Sequence, residues 1–146
     1  MAGPIVVGVS PVTGSPNALR WAAEEALLRK AELVAVLAWR PPRAPAAPGG
    51  RPPPTVVSVG GEDHAKVAEE SLREFVVTAL GSADGVRCRA VRGTAASALL
   101  AAARDAELLV VGEPRPGRMA SVRASLVAPQ VVHRAPCPVV VMPPAR

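Results

Sequence analysis

The sequence predicts an α/β protein, a mainly parallel sheet with helices packed against it. Three observations predict it. Short continuous apolar runs, such as Ile5-Val6-Val7 and Leu108-Leu109-Val110-Val111, read as strands buried on both faces, the pattern of a parallel sheet. Between these runs lie longer stretches with apolar residues at helical spacing. Strand and helix alternate along the chain, and right-handed crossovers then leave few arrangements.

The first strand is Pro4 to Val9, followed by a turn over residues 10–14. Ser15 reads as an N-cap with Pro16 at the first helical position. The helix that starts there runs from Asn17 to about Ala31. Leu19, Ala22, Ala23, Ala26 and Leu27 form its apolar stripe, and Glu24, Glu25 and Arg29 lie mostly on the other side. A second buried strand spans Leu33 to Trp39. Residues 41–60 are rich in proline, with three adjacent at 52–54, and read as a solvated, extended, mobile loop. Thr55 to Val59 is β-prone but is not expected as a core strand.

Glu62 to about Leu80 reads as a helix marked by Val67, Leu72, Phe75, Val76 and Leu80, with Gly81 as its stop. Val86 to Val91 alternates with Arg87 and Arg89, as in a half-buried strand at a sheet edge. Gly93-Thr94 leads into an Ala/Leu helix from Ala95 to about Asp105. The third fully buried strand, Leu108 to Val111, ends at Gly112. Residues 113–120 form a loop of Pro, Gly and Arg. Ser121 or Ser125 then caps a last helix to His133, with Pro129 in its first turn if it starts near Ser125, or kinking it if it starts near Ser121. Val139 to Met142 is the last strand. In such sheets ligands sit at the C-terminal ends of the strands, where strand order reverses. The candidate site is therefore the loop after Val9 with the loop after Val111.

Composition narrows the function. The 146 residues make one domain, 49% hydrophobic and 20% charged, enough to bury a core. The aromatics are Trp21, Trp39 and Phe75 alone, so a base-stacking platform for single-stranded nucleic acid is excluded. Seventeen basic against twelve acidic residues give a net charge of +5, but the arginines are scattered, as on a solvated basic surface, and no nucleic-acid partner is expected. No apolar run approaches ~20 residues, so no membrane span is expected, and the N-terminus has no signal-peptide pattern. Two cysteines, Cys88 and Cys137, make no disulfide framework and no zinc spacing, and point to a reduced, cytoplasmic setting.

Several stretches together resemble the universal stress protein family along nearly the whole chain. They are Ile5-Val6-Val7-Gly8-Val9, Ala18-Leu19-Arg20-Trp21-Ala22, Val91-Arg92-Gly93 and Leu109-Val110-Val111-Gly112. The most specific is Val132-His133-Arg134-Ala135-Pro136-Cys137-Pro138-Val139-Val140-Val141. The resemblance implies a three-layer, Rossmann-like sandwich of the adenine nucleotide alpha hydrolase-like type. Its five-stranded parallel sheet would have the order 3-2-1-4-5. It also implies a homodimer through the last strand, Val139, Val140, Val141 and Met142. Cys88 and Cys137 would then lie at opposite edges of the sheet, too far apart to bridge.

ATP-binding members of that family carry G-x-x-G, nine residues, then Gly-Ser or Gly-Thr. Glycines let backbone N–H groups approach phosphate. Counting from Gly112, the second glycine position is Arg115, the third is Ser125 and the hydroxyl position is Leu126. The acidic residue that ends the first strand in such members is Ser10 here. Ala38 and Val127 complete the positions that the resemblance assigns to a nucleotide. Four of the five signature positions thus differ. Each change would cost roughly 1–3 kcal/mol where it leaves a polar ligand group unpaired. Two or three together take a binder from about micromolar to about millimolar.

The expectation is a non-enzymatic stress-response or regulatory protein, with no cofactor, that does not hold ATP in the usual way. It would act through dimerisation and protein partners the sequence does not identify. The alternative is a sensor of an adenine nucleotide (ATP or AMP) or another anion, in which Gly112, Arg115, Arg118 and Arg123 rebuild a phosphate site. A hydrolase is disfavoured. There is no G-x-S-x-G, the only histidines are His64 and His133, and no carboxylates pair for acid–base work. No metal motif is present. His64 reads as a surface residue, His133 as structural at a helix end, and Cys137 as a small buried filler. Arg118-Met119-Ala120-Ser121 has the R-x-x-S form a basic-directed kinase reads, a pattern frequent by chance.

Overall fold

Odd and even positions of the first strand part to opposite faces of a sheet, and both faces are apolar. In the computed structural model, which describes residues 3–10, 16–41, 61–113 and 127–143, Ile5 and Val7 turn to one face and Val6 to the other, all essentially inaccessible to solvent. This strand, β1 (Ile5–Gly8), is central. It pairs in parallel with β2 (Leu33–Trp39), Ile5 opposite Leu33, and with β4 (Leu108–Gly112), Ile5 opposite Leu108. β3 (Val86–Arg92) flanks β2 and β5 (Val139–Met142) flanks β4. The sheet is all parallel, in the order β3-β2-β1-β4-β5, as expected.

Helices α1 (Asn17–Arg29) and α2 (Gly61–Leu80) cover one face. Leu19, Ala22 and Ala26 of α1 and Leu72 and Val76 of α2 pack there on Ile5, Val7, Leu33, Ala35, Leu108 and Val110. Helix α3 (Ala95–Ala102) and the described part of α4 (Val127–Arg134) cover the other face. Ala96, Ala98, Leu99, Ala128 and Val131 meet Val6, Val34, Val36, Leu109 and Val111. Small alanines let the helices approach the sheet closely, which suits a core with few aromatic rings.

Local chemistry sets the element ends. The Thr94 hydroxyl oxygen accepts from the Ser97 amide at 3.1 Å and caps α3. Gly81, at φ +86, ends α2, its amide donating to the Val77 carbonyl at 2.8 Å. Lys30 ends α1 in the left-handed region, at φ 55. Arg29 joins Glu25, at 2.7 Å, to Glu107, at 3.0 Å, and so ties the end of α1 to the approach to β4. The two carboxylates hold the Arg29 guanidinium pKa above its usual value.

Some details differ from expectation. Leu27 and Val67 are not core residues; they are 80% and 62% exposed. The stripes that bury α1 and α2 are set by Leu19-Ala22-Ala26 and by Ala68-Leu72-Val76, and both residues fall outside them. The third helix closes at Ala102, and a single 3-10 turn, Ala103–Asp105, carries the chain on. His64 is half-buried. Cys88 packs on the α1/α2 side and Cys137 on the α3/α4 side; both are free, as expected. Pro16 is the N-cap of α1 and not its first helical residue, with no side-chain cap. Residues 42–60, Ser15, the start of the last helix and Ser121 lie outside the described residues.

Candidate nucleotide site

The order β3-β2-β1-β4-β5 reverses direction beside β1, and the ladder there opens. The last paired residues of β1 and β4 are Val7 and Val110. Beyond them β1 stays with β2, the Val9 amide donating to the Val36 carbonyl at 2.9 Å. Likewise β4 stays with β5, the Glu113 amide donating to the Met142 carbonyl at 2.8 Å. Gly8-Val9-Ser10 and Val111-Gly112-Glu113 thus follow different neighbours. At this reversal, at the C-terminal ends of the strands, sheets of this type form a ligand crevice.

Two glycines flank this crevice for different reasons. A Cβ on Gly8 would lie 3.0 and 3.1 Å from the two methyl carbons of Leu99, so α3 seats closely on β1 and a larger residue would make Leu99 shift by a few tenths of an ångström. A Cβ on Gly112 would lie 3.6 Å from the Ala18 Cβ, an ordinary contact. Packing therefore does not demand glycine at 112, and its exposed backbone stands open beside the first turn of α1. A glycine that packing leaves free is what close approach of a ligand to backbone requires.

The sequence-derived positions separate into two sets. Ser10, Ala38, Gly112 and Val127 are described. Ala38 and Val127 are half-buried and pack on the same apolar cluster, on the α3/α4 face. Ser10 is half-buried beyond the end of β1, and the β1–β2 register continued by two residues brings it opposite Ala38. Arg115, Arg118, Arg123, Ser125 and Leu126 lie outside the described residues. The residues Ser10 and Leu126 do not supply the acid and hydroxyl of the usual nucleotide signature. Trp39, at the end of β2, stands out for a buried polar atom. Its indole N–H is buried and has no acceptor among the described residues. Burying a donor that way costs about 1–3 kcal/mol. The only signal was a Trp closing an aliphatic strand. Among the described residues no three His, Cys, Asp or Glu gather as a metal site requires, and no helix is long and apolar enough to cross a membrane.

A helix-covered parallel sheet, open between β1 and β4 at its strand C-termini, is a Rossmann-like α/β protein. The chain belongs to the universal stress protein family, whose model matches residues 1–143. It is 32% identical over 142 residues to a universal stress protein of Mycolicibacterium smegmatis, covering 94% of this chain and 47% of that protein. It is 33% identical over 140 residues to one of Mycobacterium tuberculosis, again covering 94% of this chain and 47% of that protein. The chain thus spans about half the length of the curated relatives it matches. Its fold is similar to that of a universal stress protein in complex with cAMP, at a TM-score of 0.66 and 23% identity, covering 99% of this chain and 100% of that one. It is also similar to the universal stress protein of Archaeoglobus fulgidus in complex with dAMP, at a TM-score of 0.59 and 23% identity, covering 95% and 96%.

Proposed function

We propose that this chain is a non-enzymatic regulatory protein of the universal stress type that acts in the cytoplasm through protein contacts and does not hold ATP in the usual way. One observation carries the reading: at the positions of the phosphate signature stand Arg115, Ser125 and Leu126, with Ser10 in place of the acid after β1. The usual signature relies on glycines that let backbone amides approach phosphate, and these residues are not glycine. The edge position of β5 supports a homodimer through Val139 to Met142, an uncharged strand whose outer side meets no other strand among the described residues. The reading is tested by thermal unfolding with Mg-ATP at about 5 mM, a concentration that stabilises a micromolar binder by roughly 4 kcal/mol or more. A rise in Tm of no more than about 3 °C is expected, the gain of a millimolar binder; a rise of about 10 °C or more contradicts the reading.

The second reading is a sensor of adenine nucleotides. The open crevice and the unconstrained Gly112 favour it, as do the relatives in complex with cAMP and dAMP. Here Ala38 and Val127 would contact the ring, and Gly112 with Arg115 would face the phosphate. Calorimetric titration with AMP, cAMP and ATP separates the two. Binding that Arg115→Ala abolishes selects the sensor.

A further inference from the structure

β3 pairs with β2 alone among the described residues, so its other side is a sheet edge. The Gly93 amide donates inward to the Trp39 carbonyl at 2.9 Å. Backbone groups alternate along a strand, so the amides of Arg87, Arg89 and Val91 also point to β2. Those of Cys88, Ala90 and Arg92 point outward, as do the carbonyls of Val86, Cys88 and Ala90. Helix α2 lies across the face where Val86 and Cys88 pack. Arg87 and Arg89 belong to the opposite face, with Val91, and both are exposed. Two residues apart on one strand, they stand about 7 Å from each other. Arg87 meets Glu32 at 3.1 Å, a pair open to solvent with side chains 65% and 48% exposed. Arg89 and Arg92 have no ion pair among the described residues.

We propose that this edge takes an extended acidic peptide segment of a partner protein as a sixth strand, with alternate carboxylates opposite Arg87 and Arg89. The segment's backbone would meet the outward groups of Cys88, Ala90 and Arg92. Charge selects the occupant. Arg87, Arg89 and Arg92 lie within a single strand of a chain whose net charge is +5. A second copy of β3 would set arginine against arginine, which is destabilising, whereas carboxylates at alternate positions are attracted. A nucleic acid would find no ring to stack on, because no aromatic residue lies on β3, and it has no use for a row of backbone pairing groups. The apolar edge of β5 lies at the far side of the sheet, so the two edges suit different partners. The inference rests on the partner-contact reading above and is independent of its nucleotide arm.

The test is fluorescence anisotropy with the labelled peptide acetyl-TEVEVET-amide and two controls. TQVQVQT removes the charge, and TEPEPET keeps the charge but cannot form a strand. The acidic strand peptide is expected to bind at least about tenfold more tightly than either control, and at least tenfold more weakly to R87E/R89E than to the unmodified protein. Arg89→Gln, which breaks no ion pair, gives the same direction if the double variant fails to fold. Hydrogen exchange is expected to slow at the amides of Cys88, Ala90 and Arg92 when the peptide is bound. Equal binding of TEPEPET, undiminished binding to both variants, or no binding up to about 1 mM overturns the proposal. So does protection that appears elsewhere. None of these results alters the Mg-ATP outcome, so the two readings fail separately.

Discussion

Gly8 and Gly112 end neighbouring strands on either side of one crevice, yet only the first is held by packing. Gly8→Ala would press a methyl group on Leu99 at about 3 Å and is expected to cost about 1–2 kcal/mol in urea unfolding. Gly112→Ala meets only Ala18 at ordinary distance and is expected to change stability by no more than ~0.5 kcal/mol. Equal losses would make Gly112 a packing residue and remove the structural reason for reading it as an approach to backbone. The thiols give a second prediction. Burial raises the pKa of Cys88, against a smaller opposing effect of Arg73, and burial alone raises that of Cys137. A folded pKa above the unfolded one means the fold favours the protonated thiol. That contribution is complete below the unfolded value of about 8.5 and is lost as pH rises through the folded value. Unfolding curves between about pH 8 and 10 are expected to show a smaller loss of stability in the Cys88→Ala, Cys137→Ala double variant than in the parent. An identical pH slope would mean the thiols ionise as freely folded as unfolded.

The helices show where periodicity misleads. At about 100° per residue Leu27 falls about 80° round from Leu19, and Ala22 and Ala26 fall on the opposite side of it. The small side chains, not the larger leucine, mark the face that approaches the sheet, and Leu27 and Leu28 are each 80% exposed. Strands were more legible. Leu33–Trp39 and Val139–Met142 have the expected bounds, because an apolar run between turn residues has few alternative ends. The arginines of β3 marked an edge strand, and β3 is at the edge. The end of α1 was not legible, because Lys30 takes a left-handed conformation that glycine usually fills. Its amide donates to the carbonyls of Ala26 and Leu27, so the cap geometry is complete and only the Cβ is strained. Lys30→Gly is therefore expected to stabilise the protein by about 1 kcal/mol, read as a higher urea midpoint at unchanged m-value. A lower midpoint would show that the lysine side chain contributes more than its backbone strain costs.

At the scale of the molecule, alternation of strand and helix established a parallel sheet, but it did not distinguish one strand order from another. The order came from the resemblance carried by residues 5–9, 18–22, 91–93, 109–112 and 132–141 together, and the sheet has that order. The place of the candidate site follows from the strand order, because sheets of this type hold ligands where the order reverses. The β1–β4 pairing ends at Val7 and Val110, just before the two loops named from the sequence. What the site holds was less legible, since it depends on side chains at 10, 115, 125 and 126 that depart from the nucleotide signature. Assembly belongs to the same scale. Val140→Asp places a charge in the β5 edge and is expected to convert a dimer to a monomer in light scattering. A dimer that persists excludes that edge as the interface. The proposal stands or falls on whether the protein carries ATP in the usual manner. Native mass spectrometry of the freshly purified protein, followed by denaturation and identification of released small molecules, tests it most directly. A homodimer with no nucleotide is expected. Near-stoichiometric release of an adenine nucleotide would contradict it.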